Sequence, residues 1–587
     1  MNRMVKSTID FLKPRIGVMI AFAILALLAL GLLWIQFRYP LALNMDGGNN
    51  AANTLAIMNG QSMPFSGSPI LPFALSALFG FIAGSVHAGI KIVTTISLVA
   101  VGYLIYAFTK HISKEDVAPI AALLGWCVSL GVFSYPLGYL KQTVSLPFLV
   151  AGLMSLYLVF ESDKPKKYLA LWAVCLVCAF MSHTPAVFLY LASSYTIAAI
   201  MLPGSDFKHG KLASALMWAA FGLGVMFAPW LIPFLSRWFV QLSLDGVRTI
   251  IVAIKGLFAF RVSEQVDFQY FDYLHIAVAV YGLAFTAKEW KRYALWLIGF
   301  GIGVVTVSVF ASAYEWQGRN ILTLFVPLSI CVGLGFYHLS RLISKKLYIY
   351  VPVAIVSALL VFYVSGYHET VYKTIKLARP VVTVEQLADL NWLLESSPDE
   401  ITDNLYARHG LRFWATYANG KHCGVLHRHW TENFLAIRSS RGEEELPDSR
   451  LPEKGDYLLI SRTAMFKWPE RVIEGRNYKA YVPEKAEENL RIRFDSTDSF
   501  ETITVKLESS SGDVITKEFE RITYGENILD WLLVGVERGN YNVSIVCNGV
   551  ESESVNVDMI DNNFHWTDLE FEEIASSKEY VILERRE

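Results

Sequence analysis

"PILPFALSALFGFIAGS", residues 69–85, is apolar throughout and ends in Gly-Ser. Whether it crosses a membrane decides the orientation of everything that follows. A spanning helix needs about 20 apolar residues to cross a hydrocarbon core of ~30 Å. This run is shorter, and Pro64, Pro69 and Pro72 crowd its start. Proline is tolerated in the first turn of a helix and breaks its interior. The segment therefore reads as a helix that lies in or dips into the interface and returns to the side it came from.

Longer apolar runs surround it, at roughly 17–37, 88–109, 117–135, 144–160, 168–182, 185–202, 212–236, 273–287, 293–313, 320–340 and 348–366. These predict a polytopic α-helical membrane protein of about eleven spans, with the first run an anchor rather than a cleaved signal. The bases then set the direction. Arg3, Lys6, Lys13 and Arg15 precede the first run. Lys110 and Lys114, Lys164 to Lys167, Lys208 and Lys211, Lys288 to Arg292, and Arg341 to Lys346 fill every second loop. Of the 25 Lys and Arg before Glu369, 17 fall on this one side. By the positive-inside rule that side is cytoplasmic, in the plasma membrane, with the N-terminus inside. The alternation holds only if 69–85 does not span.

An odd number of spans puts the chain after about residue 367 outside. Its composition agrees. The 587-residue chain is 53% hydrophobic and 18% charged, but unevenly. Residues 1–368 carry 25 bases and 13 acids; residues 369–587 carry 26 bases and 40 acids. An acidic, water-compatible tail argues against nucleic acid as a partner, since phosphate backbones need a basic footprint. The domains predicted are 1–370 in the membrane, an extracytoplasmic α/β region at 376–485, and a β-rich, sandwich-like region at 486–587. "TVEQLADLNWLLESS" has helical spacing, and Thr383 with Gln386 fits a capping box. "ETITVKL" and "NYNVSIVCNGV" alternate with period two.

Several tail features are weak. His422, Cys423, His427 and His429 have the residue types of a zinc site without its spacing, and read as a solvated loop. Asn542-Val543-Ser544 is a glycosylation triplet of a kind that arises by chance. Cys423 and Cys547 could bridge, which sequence alone does not decide. Cys175 and Cys178 lie in an apolar run and read as packing residues.

The outer face holds few charges, and Asp46 stands out among them. It opens "DGGNNAANTLAIMNG", residues 46–60, within about ten residues of the first span. One reading is a turn residue, since Asp-Gly favours tight turns. The other is a carboxylate at the membrane–water boundary that takes a proton from an acceptor, or holds a metal that does. Asn44, Asn49 and Asn50 are placed to hydrogen-bond it without neutralising it.

An Asp just after the first span, a helix ending in Asn-Gly, and a proline-led apolar helix together resemble the GT-C superfamily of membrane glycosyltransferases, of the protein O-mannosyltransferase and aminoarabinose transferase type. "MSHTPAVFLY" (181–190) matches the break those proteins place between two short spans. "YEWQGRNILTLFVPLSICVGLG" matches their late span that runs through a proline. The resemblance covers roughly residues 10–366. The oligosaccharyltransferase signature WWDYG is absent, and Lys141, Gln142 and Thr143 stand where many relatives carry a second acid.

The resemblance implies transfer of a sugar, with inversion, from a polyprenyl-phosphate donor to a hydroxyl of a glycan, lipid or protein outside the membrane. It implies Asp46 as general base. It leaves a divalent metal open as a cofactor. The leaving phosphate gains charge and needs cations. Lys141, His183, Arg237, Arg248, Arg261 and Arg319 are the outer-face residues that fit. A rival reading is a transporter or flippase of lipid-linked saccharides, which would place ionisable groups near span centres. Apart from Lys91, near an outer end, there are none. A non-catalytic scaffold is the third, and would make Asp46 dispensable.

The orientation has a direct test. A topology reporter fused after Lys346 is expected to report cytoplasm and one after Tyr367 the outside. The same side for both would remove a span and invert the assigned face.

Overall fold

In the computed structural model the run at 69–85 contains a helix of 13 residues, Leu71–Ala83. At 1.5 Å per residue it is about 20 Å long, too short to cross a ~30 Å core. Both ends are set by local chemistry. Pro72 sits in its first turn. At the other end Gly84 adopts φ +68°, the left-handed conformation glycine permits, and its N–H returns to the Gly80 carbonyl. Ser85 then caps the next helix, its Oγ accepting from the Ala88 N–H at 3.4 Å. The short helix folds back on that neighbour: a Cβ on Gly89 would lie 2.2 Å from the Ser76 carbonyl oxygen.

The structure describes residues 2–231, 260–343, 371–425, 456–461, 470–559 and 571–585, with short interruptions that include 44–45 and 312–318. Two units follow one another, Met1–Val381 and Val382–Glu587. Among the described residues of the first, seven helices are long and apolar enough to cross a membrane by length and composition. They are Gly17–Phe37, Val86–Ser113, Leu140–Glu161, Pro165–Ser182, Thr184–Gly204, Lys291–Val309 and Arg319–Leu342. The chain is a polytopic helical membrane protein with a strand-rich C-terminal domain.

Helices Gly210–Leu231 and Tyr273–Glu289 occupy the runs expected at 212–236 and 273–287. The run expected as one span at 117–135 is broken. It forms Val117–Cys127 and then Leu130–Ser134, with Ser129 extended between them at φ −73°, ψ 143°. The run at 348–366 lies outside the described residues.

Polar contacts gather the basic loops at one end of this unit. Arg292 donates to the Glu161 carboxylate and, at 2.6 Å, to the Gly204 carbonyl. Arg341 donates to both Glu289 oxygens at 2.6 and 2.8 Å. The Tyr337 hydroxyl meets Glu115, and Lys110 meets Asp116. Part-exposed pairs of this kind contribute about 0–1 kcal/mol each. Their significance is positional: loops far apart in sequence share one end. Helix Leu140–Glu161 runs from that end to Lys141, about 30 Å away at 1.5 Å per residue.

Between the ends the helices approach closely at glycines, as membrane helices do in place of a hydrophobic drive between them. A Cβ on Gly125 would sit 2.1 Å from the Ser329 carbonyl oxygen, and one on Gly333 2.2 Å from that of Ala121. Buried aromatics spend their polar atoms on helix carbonyls: Trp296 on Leu153 at 2.8 Å and Tyr190 on Trp172 at 2.6 Å.

The second unit begins with the expected capping box. The Gln386 N–H donates to Thr383 Oγ1 at 3.2 Å, and the Thr383 N–H to Gln386 Oε1 at 3.0 Å. The boundary expected at 485/486 moves at both sides. One sheet orders strands Phe571–Ser576, Tyr580–Arg585, Tyr457–Ser461, Leu405–Ala407 and Gly424–Val425, so the C-terminal hairpin joins the α/β part. The two sheets of the sandwich start upstream, at Glu470. Ile473, Val482 and Phe494 from one sheet share a core with Val505, Val543 and Ile545 from the other. Asn542 is exposed on the strand Gly539–Cys547. Cys423 and Cys547 are free and buried, as are Cys175 and Cys331; Cys127 and Cys178 are free and half-buried. His427 and His429 lie outside the described residues.

The glycine crossings predict an asymmetry. Gly333→Leu should collapse the yield of monodisperse protein in detergent, because overpacking costs ~1–3 kcal/mol or more where backbone is the obstacle. Gly31→Leu should leave it unchanged, since nothing lies within 4 Å of its Cβ direction. Equal behaviour in gel filtration would refute the close crossing.

Candidate functional site

Asp46 immediately precedes helix Gly47–Met58 with φ −76° and ψ −4°. Its carbonyl accepts from the Asn50 N–H at 2.9 Å, the first bond of the helix. An aspartate at this position ordinarily turns its carboxylate onto the N–H groups of the first turn. Here the side chain makes no such bond. The turn-residue reading thus accounts for the backbone and leaves the carboxylate unexplained.

Of the asparagines expected beside the carboxylate, Asn49 has a different partner. Asn49 Oδ1 accepts from Asn53 Nδ2 at 3.0 Å, and Asn53 Oδ1 accepts from the Phe65 N–H at 3.2 Å. They shape the loop that returns beneath the helix. Asn44 lies outside the described residues.

The half-buried Asp46 carboxylate borders a cavity of ≈ 200 Å³ that Gly67, Pro69, Tyr139, Lys141, Gln142, His183 and Arg319 also line. Each comes from a different local device. Lys141 stands in the first turn of helix Leu140–Glu161, its Nζ 3.3 Å from Ser68 Oγ in the first loop. His183 is the single extended residue, φ −163° and ψ 110°, between helices Pro165–Ser182 and Thr184–Met201, with Pro185 in the first turn of the second. Burial, then the nearby Lys141 and Arg319 charges, push its imidazole down to about 3, so it is neutral near pH 7. Arg319 opens the helix Arg319–Leu342. Its guanidinium lies 5.2 Å from the centre of the Tyr139 ring, and its carbonyl accepts from Gln142 Nε2.

Four of the seven expected site residues, Asp46, Lys141, His183 and Arg319, therefore meet in one cavity. Arg237 and Arg248 lie outside the described residues. Arg261 is on a two-stranded ribbon, Phe260–Ser263 with Val266–Phe268, in register with Asp267. Tyr139 and Gln142 are additions: they hold Arg319 by ring and by backbone. Their signal in the sequence was the cluster Tyr139, Lys141, Gln142 at one helix start.

A divalent cation at this cavity would have Asp46 as its one carboxylate ligand among the described lining residues. The described lining offers one carboxylate beside two cationic side chains, and no cluster of three or more His, Cys, Asp or Glu side chains occurs among the described residues. Hard cations want several oxygen ligands. The described lining thus sets a carboxylate beside two cationic side chains and a neutral imidazole.

No family of related sequences matches the chain, and no curated protein matches it. Three solved structures follow a similar course. An archaeal oligosaccharyltransferase, AglB from Archaeoglobus fulgidus, in complex with an inhibitory peptide and a dolichol-phosphate, is 11% identical with a TM-score of 0.49 over 92% of this chain and 98% of that one. ArnT from Cupriavidus metallidurans, bound to undecaprenyl phosphate, is 9% identical with a TM-score of 0.45 over 77% and 96%. The Archaeoglobus fulgidus oligosaccharyltransferase in complex with Zn and sulfate is 11% identical with a TM-score of 0.44 over 91% and 98%. AglB and ArnT are members of the GT-C superfamily, which roughly residues 10–366 resemble. At these identities and scores the likenesses carry no argument about the chemistry of this chain.

Proposed function

We propose that this chain is a membrane glycosyltransferase that moves a sugar from a polyprenyl-phosphate donor to an acceptor hydroxyl on the extracytoplasmic face. The observation that supports it is the juxtaposition of an uncapped carboxylate, Asp46, with Lys141 and Arg319 in one cavity.

The chemistry assigns each a role. Asp46 takes the proton of the acceptor hydroxyl as its oxygen bonds the anomeric carbon. The bond from that carbon to the phosphate oxygen breaks, and its electron pair leaves with the polyprenyl phosphate. The phosphate then carries one more negative charge. Lys141 and Arg319 are set to stabilise that charge, which develops in the transition state and is where preorganised cations act. The count balances. Asp46 loses its negative charge on protonation while the leaving phosphate gains one, so the site keeps its net charge through the step. Tyr139 and Gln142 hold Arg319, and His183 adds an uncharged imidazole to the lining.

The reading also takes the cavity to open outward, away from the basic loops, as the positive-inside rule requires. Because His183 is neutral down to about pH 3, its titration should leave no limb in the rate profile between pH 5 and 8.

The test is release of polyprenyl phosphate from a polyprenyl-phosphate sugar by purified protein. Asp46→Asn should insert normally and lower turnover by about 10²-fold or more, the scale of a lost general base. Asp46→Glu should keep part of the activity. Arg319→Ala should raise the KM for donor. Undiminished transfer by Asp46→Asn at matched expression would leave Asp46 a turn residue and the reading without its base.

A further inference from the structure

Helix Val86–Ser113 carries three polar side chains at i, i+4 and i+8, His87, Lys91 and Thr95, which share one face of a helix. Lys91 is 2% exposed, and a charge so buried is retained only where something compensates it. Its partners are backbone carbonyls: Nζ donates to Tyr39 O at 2.5 Å and to Pro40 O at 3.0 Å, and lies 5.0 Å from the Phe37 ring centre. Its neighbours on the stripe meet the same stretch of chain. Thr95 Oγ1 accepts from Gln36 Nε2 at 2.9 Å, and His87 Nδ1 accepts from the Ala42 N–H at 3.3 Å.

The three rungs run in antiparallel register. Residues 95, 91 and 87 meet 36, 39–40 and 42, fastening the end of the first span and the start of the outer loop to the helix. The track ends four residues before Asp46. A cleft of ≈ 10 Å³ continues it: Lys91, Ala42, Leu43, Asn50 and Tyr139 line it together. Asn50 lies in the first turn of the helix that Asp46 precedes, and Tyr139 stacks on Arg319. Lys91 thus borders both the segment 39–43 and Tyr139, the aromatic beside Arg319.

We infer that Lys91 is a positioning residue for Asp46, the central rung of a His87–Lys91–Thr95 ladder that sets where the carboxylate meets the cavity. Lys91 does not reach the cavity lining itself and touches no reacting atom. The kinetic part of the inference rests on the reading of Asp46 as the base; the geometric part does not. Lys91, the charge that a transporter reading would single out, is committed to the backbone carbonyls of Tyr39 and Pro40.

Lys91→Met keeps the length and removes the donors. Its kcat should fall about tenfold or more while the donor KM stays near the wild-type value, because a misplaced base slows chemistry without loosening Lys141 or Arg319. Lys91→Arg should recover part of the loss. A second readout needs no substrate: an impermeant maleimide should label Asp46→Cys several-fold faster when Lys91→Met is added. Unchanged labelling with unchanged kcat would overturn the inference. Faster labelling in a protein whose wild type transfers no sugar would uphold the positioning role and sink the transferase reading. If Lys91→Met does not fold, Thr95→Val and His87→Ala, the flanking rungs, are read by the same two measurements. Wild-type labelling in both would also overturn it.

Discussion

A helix of 13 residues cannot cross a bilayer, and the arrangement of the first unit depends on that shortfall. Pro72 starts the helix Leu71–Ala83, Gly84 stops it in the left-handed region, and Ser85 at once caps the span that follows. The chain therefore returns to the end it left. Asp46, before the short helix, stays at the same end as the span starts and breaks that come later. Were the helix a full turn or two longer and the glycine absent, the next span would begin on the opposite side, and Lys141, His183 and Arg319 would sit ~30 Å from the carboxylate.

Given that end-matching, the cavity is built cheaply. A helix start supplies Lys141, a one-residue break supplies His183, and another helix start supplies Arg319. Backbone at membrane depth leaves the helical pattern only where it is buried or lines a cavity, and His183 illustrates this. The helix termini deliver charge to a boundary where neither a span centre nor a solvated loop would hold it so closely. The far ends of the same helices carry Glu161 and Arg341 in pairs with other loops, which gives the bundle two chemically distinct ends.

Much of this was legible in the sequence because it rests on short-range rules. Proline, Gly-Ser and run length sufficed for Leu71–Ala83; Asn-Gly sufficed for the end of Gly47–Met58; His-Thr-Pro sufficed for the break at His183. The capping box at Thr383 was equally local. What stayed hidden depends on contacts between distant residues. Asn49 turns its Oδ1 to Asn53, which in turn accepts from the Phe65 N–H, a contact set twelve residues further along the chain. Lys91 read as a stray charge until the carbonyls of Tyr39 and Pro40 came to it. Ser129 breaks a run whose composition alone looks continuous. In the tail, strand alternation located the strands but not their sheets, because the hairpin 571–585 pairs with Tyr457–Ser461 more than a hundred residues upstream.

In the proposed reaction Lys141 and Arg319 face the phosphate of a lipid-linked donor while Asp46 faces the acceptor. A structure of the purified protein with polyprenyl phosphate bound tests it most directly. The phosphate oxygens are expected within about 3 Å of Lys141 Nζ and the Arg319 guanidinium, with the Asp46 carboxylate on the open side of the cavity. A phosphate seated at the basic-loop end, or held by neither cation, would contradict the account.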